Sequence, residues 1–136
     1  MLVPKATSPV GTNEPVTRMT KYLVLIYGNE QTWIDSTPAW QAANAARHQA
    51  LIASAGAAIL GVNELERTSH AVSVRADASG NPSVTAGLFH ETPEVVGGFY
   101  ILDAANIDEA TRLASRIPEA TAPHGGVEIR PIAAPD

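Results

Sequence analysis

The run "YLVLIY", Tyr22 to Tyr27, places six apolar residues in a row and closes them with Gly28. Its β-branched and aromatic members favour a strand, and the absence of alternation means that both faces of that strand are to be covered. This one feature demands a sheet with material on each side. A chain of 136 residues suits one domain, since folding at that size buries roughly 70% of the surface that the unfolded chain exposes.

The other elements follow from spacing and punctuation. A polar loop leads to Ser36 and Thr37, either of which can cap a helix whose first residue is Pro38, where the missing N–H costs nothing. The alanine-rich body predicts a helix over Pro38 to Ala55, stopped by Gly56. "AAILGVNEL" and "HAVSVRA" read as the second and third strands, and "DASGNPS" as a turn into a short fourth, "SVTA". A strand from Gly98 to Asp103 precedes a helix over Ile107 to Ile117, for which Asp103 or Asn106 supplies the cap. Pro118 and Pro123 enclose a loop before the last strand, "GVEIRPI". This order describes an α+β fold of the split βαβ, ferredoxin-like kind with a hairpin inserted in its middle. Two helices cover one sheet face; a second copy is the simplest cover for the other, which predicts a homodimer.

Residues 1 to 18 hold Pro4, Pro9, Pro15 and Gly11 among small polar residues, without periodicity. They read as a flexible leader, with the domain over residues 19 to 136 and Met19 as a candidate start.

Several function classes are disfavoured. The formal charge is -5 and the nine basic residues do not cluster, so no footprint exists for nucleic acid or an anionic membrane surface. Without cysteine there is no disulfide, thiolate zinc site or cysteine nucleophile. The longest apolar runs are far below the ~20 residues of a membrane span, and no secretion signal opens the chain; a cytoplasmic protein is the default. No phosphate-loop, dinucleotide-turn or nucleophile-elbow string occurs, and the four histidines lack metal-ligand spacing, so neither metal nor cofactor is expected.

Winding the first helix at about 100° per residue aligns Gln41, Asn44, His48 and Ile52. His48 therefore points inward, beside a polar end formed by Gln41 and Asn44. An imidazole there is either a general acid or base, or a core histidine satisfied by its neighbours. Phe99 and Tyr100 alternate across their strand, so one ring meets the core while the other lines a cleft or the dimer face. The pair Gly97, Gly98 marks a bulge or close backbone approach. Arg130 lies on the opposite face of the last strand from Val127 and Ile129, and is a candidate for holding an anionic ligand or for a structural ion pair. His70 and His124 read as surface residues.

"YLVLIYG", the helix bearing His48 followed by "AGAAILG", then "GLFHETPEVVGGFYILD", "IDEATRLASRIP" and "VEIRPI" together resemble the YCII-related proteins, in the branch once called the DGPF domain. The resemblance spans about Lys21 to Ile132. It implies a ferredoxin-like dimeric α/β barrel in a family that mostly lacks an assigned activity. Some of its members are linked to sigma-factor-like regions, and a characteristic histidine and aspartate have suggested an enzyme. The histidine matches His48. Where the branch carries D-G-P-F, this chain has Ala86, Gly87, Leu88, Phe89, so the acid is absent at its own position. Glu91 or Glu94 is then the candidate to orient His48, and His90 beside Glu91 is a candidate replacement or a surface residue. These residues point to a non-catalytic module binding a small ligand, or associated with transcription, through a cleft near His48 that includes Asn44, His90, Tyr100 and Arg130. The alternative is an enzyme with His48 as general acid or base, assisted by Glu91.

Overall fold

The structure, a computed structural model, describes residues 19–135. The expectation of a flexible leader at residues 1 to 18 lies outside the described residues. Strand β1 (Thr20–Asn29) contains the apolar run and lies inside a four-stranded antiparallel sheet. Its neighbours are β5 (Glu94–Ala104) and β6 (Gly125–Pro131), while β2 (Ile59–Glu64) pairs with the far side of β5. The strand order is β2-β5-β1-β6, and β3 (Val72–Ala76) with β4 (Pro82–Ala86) makes a separate hairpin. Helices α1 (Glu30–Ile34), α2 (Pro38–Ala55) and α3 (Ile107–Ala114) complete a mixed α/β domain.

Within this chain β1 is fully covered on one face only. Tyr22, Val24 and Ile26 are buried, whereas Leu23, Leu25 and Tyr27 between them remain half-buried. The buried set meets Tyr100, Leu102 and Ala104 of β5, Leu51 of α2, Ala110 and Ala114 of α3, and Ile117. Ala110 and Ala114 are completely covered, and their small side chains let α3 lie close against the sheet. Removing a large core side chain such as Val24, Leu102 or Ile117 from water contributes roughly 1.5–3 kcal/mol each.

The caps act as the sequence suggests. The Thr37 side chain accepts from the Trp40 N–H with Pro38 in the first turn, Gly56 has φ +55°, and the Asn106 side chain accepts from the Glu109 N–H. Three local differences matter. The polar loop after Gly28 contains the five-residue α1, capped by Asn29 and too short to show periodicity. Strand β5 begins at Glu94 rather than Gly98, with Val95 and Val96 already paired to β1. The second helix ends at Ala114 rather than Ile117, because Arg116 and Ile117 donate to Leu113 and Ala114, three residues back, and tighten the chain. A 3₁₀ turn, Pro118–Thr121, follows at once.

The glycine pair is a bulge. Ile26 faces Gly98 and Tyr27 faces Val96, leaving Gly97 as the extra residue. The Trp33 ring of α1 occupies the space beside it: a Cβ on Gly97 would come within 2.4 Å of that ring, and one on Gly28 within 2.2 Å. Glycine here makes room for tryptophan.

Candidate functional site

The site grows from α2, one turn of which separates Asn44 from His48 on the face turned toward the sheet. Opposite them stands Tyr100, paired across the sheet with Val24 and fully buried. The third wall is the Pro118–Thr121 turn, which carries Glu119.

These side chains form one chain of hydrogen bonds. The Tyr100 hydroxyl is 2.6 Å from His48 Nδ1, and His48 Nε2 is 2.9 Å from Glu119 Oε1. Asn44 Nδ2 donates to the same Oε1 at 3.1 Å. Nε2 is also 2.9 Å from Oε2, which has no other polar contact. The rings of His48 and Tyr100 lie 5.8 Å apart, centroid to centroid, with their planes 22° from parallel. An ionised carboxylate can only accept, so Nε2 carries a proton; in the neutral imidazole Nδ1 then accepts from the tyrosine.

The electrostatics follow from burial and these bonds. Burial alone would push the Glu119 carboxyl up, but the hydrogen bonds from His48 and Asn44 outweigh it and hold the group below its ordinary value. The Tyr100 phenol is pushed up to about 12, first by burial and then by the charge on Glu119. At neutral pH Tyr100 is therefore a phenol and Glu119 a carboxylate, with the His48 ring between them.

Asn44 and Glu119 also line a cleft of about 840 Å³ between α1, the start of α2 and the turn before β6. Trp40, Ala43, Pro118 and Pro123 supply apolar wall, and Arg47, Asp35 and His124 bring polar groups. His124 packs edge-on to Trp33 at 6.3 Å and has a covered Nδ1 without a hydrogen-bond partner. It lines the cleft, contrary to the surface position read from the sequence.

Of the expected residues, the structure brings Asn44, His48 and Tyr100 together. Glu91, His90 and Glu94 are exposed between β4 and the start of β5, and none hydrogen-bonds to His48. Arg130 faces Leu23 across the sheet, on the side away from Val24 and its neighbours, and is exposed. It is not part of the His48 network. The carboxylate on His48 is Glu119, which the sequence reading missed. Its signal is slight: an acid just after Pro118, where an amphipathic helix has ended. Among the described residues no cluster of three or more metal-ligating side chains occurs. Among the same residues no helix is long and apolar enough to cross a membrane.

The model of the YCII-related domain matches residues 20–134, nearly the whole described chain. The chain belongs to the YCII-related family. A curated relative, uncharacterized protein R00369 of Rhizobium meliloti (strain 1021), is 39% identical over 72 residues. That alignment covers 53% of this chain and 57% of the relative, so the chain spans somewhat over half the length of the curated relative it matches. The matched span includes His48, Tyr100 and Glu119.

Proposed function

We propose that this YCII-related protein is a non-catalytic module that binds a small molecule in the cleft beside His48. The observation that carries this reading is that both ring nitrogens of His48 are engaged inside the chain, by Tyr100 and Glu119. A general base needs a nitrogen within reach of the substrate proton. The groups that line the cleft are instead Asn44 and Glu119, which suit recognition. Alanine at position 86, where the family branch carries its acid, agrees with this reading. A fragment screen by NMR tests it: the Trp40 indole and Asn44 amide signals should move together for some compounds, and His48→Ala should weaken those compounds while keeping the fold. If no fragment moves them, the reading is wrong.

A second reading, an enzyme using His48 as acid or base, draws on Glu119, which supplies an orienting carboxylate after all. Turnover of any cleft-binding compound that is lost in His48→Gln would favour it. The strand order β2-β5-β1-β6 supports a ferredoxin-like fold, and the half-buried outer residues Leu23 and Leu25 support a homodimer closed across that face into a barrel. A cytoplasmic location and attachment to a transcription-related partner belong to the same proposal, and the lack of a cluster among the nine basic residues argues against direct nucleic-acid contact.

A further inference from the structure

If the cleft takes a small molecule, as proposed above, its polar atoms select the chemistry of that molecule. Glu119 is 7% exposed and lines the cleft. Its Oε1 accepts two hydrogen bonds, while Oε2 is shielded from water and has the 2.9 Å contact with His48 Nε2 as its one polar contact. A covered acceptor left without a donor costs about 1–3 kcal/mol. His124 Nδ1 is also covered and without a hydrogen-bond partner, it is an acceptor in the tautomer that carries its proton on Nε2, and His124 lines the same cleft. Both residues thus bring a covered polar atom to the one cleft. Moreover, His48 offsets the charge of Glu119 only when protonated, and a covered carboxylate without a full counter-charge favours any group that brings one.

We infer that the cleft receives a small molecule with a primary ammonium group on a compact apolar body. The ammonium pairs with Glu119 Oε2 and with His124 Nδ1, and the apolar body lies along Trp40, Ala43 and Pro118. An ammonium has three donors and can serve both atoms at once, whereas a hydroxyl has one donor and an anion has none. It also brings a positive charge to the covered carboxylate, and a charge-assisted bond is about twice as strong as a neutral one. Reaching Oε2 takes a small shift of the carboxylate, whose terminal torsion is broad and soft.

The test compares three probes that share one apolar body: benzylamine, benzyl alcohol and benzoate. Binding is followed by NMR at the Trp40 indole and the Asn44 amide, on the full chain. The expected order is benzylamine first, tighter than benzyl alcohol by about tenfold, with benzoate last. Glu119→Gln should erase the gap between amine and alcohol. Because Glu119 also holds His48, that variant is used only if its circular dichroism is native; the order in the unaltered protein decides without it. Arg47→Gln, at the cleft wall, should leave the amine at least as tight. Equal binding of amine and alcohol, or benzoate binding best, overturns the ammonium assignment. If other fragments bind the cleft without preference for an amine, the assignment falls while the cleft reading stands. If nothing in a broad set moves these signals, both fall.

Discussion

The Tyr100 hydroxyl stands 2.6 Å from Nδ1 of His48, joining a fully buried strand residue to a helix residue 52 positions away. That bond ties α2 to the centre of the sheet at a point where α2 otherwise buries few large side chains, Leu51 being its one fully buried residue. Tyr100→Phe keeps the ring and removes the bond. It should lower stability by about 1 kcal/mol, the usual net worth of a hydrogen bond with a polar partner left behind. Urea denaturation checks this, and an unchanged midpoint would show that the bond contributes nothing.

Glu119→Ala should be more damaging than Tyr100→Phe. It removes the acceptor for both Asn44 and His48, and leaves their donors covered, at about 2–4 kcal/mol in all. Glu119→Gln retains one acceptor oxygen and should fall between the two. If the alanine variant is as stable as the native chain, the network does not support the fold.

Stability should also depend on pH through this carboxyl. The folded state holds Glu119 below its ordinary value of 4.5. Its contribution is therefore present above the unfolded value and is lost as pH falls through the folded one. The stability difference between the native chain and Glu119→Gln should be constant near neutrality and shrink below about pH 4.5. A difference that grows on acidification would contradict the sign.

Tyr100 provides the mirror case at high pH. Its folded value is pushed up to about 12 from an ordinary 10.0, so the stability it gives is complete below the unfolded value and declines as pH rises toward the folded one. Ultraviolet titration of the native chain minus Tyr100→Phe should show one phenol ionising near the value of about 12. A step at the ordinary value would mean that the hydroxyl is not buried.

Gly97→Ala tests the tryptophan seat. A Cβ 2.4 Å from the Trp33 ring cannot be accommodated without moving the ring, and overpacking of this kind costs typically about 1–3 kcal/mol. In a Trp40→Phe background the Trp33 fluorescence should shift as well. Replacing Trp33 by leucine should recover part of the loss, and failure of that rescue would place the strain elsewhere.

Most of the element order was legible in the residues, because it depends on local physics. An unbroken apolar run, a Pro38 start, a Gly56 stop and an Asn106 cap each act within a few positions of themselves. So does the inward direction of His48, which follows from helical periodicity alone. What lay beyond reach was contact between segments distant in the chain. The motif "AGLF" drew attention to Glu91 and His90, neighbours in sequence of the altered acid, yet both are exposed and the carboxylate at His48 is Glu119, 71 positions away. No pattern announces such a pair, since a single side chain in a 3₁₀ turn has no period. Likewise, the glycine pair was readable as a bulge, but only the folded chain places Trp33 over it. The sequence by itself determined most of the strands and helices and the inward face of α2, but neither the short α1 nor the one-sided cover of β1. The tertiary structure alone decided which acid meets the histidine and that His124 joins the cleft, because those contacts are made by packing whole elements together.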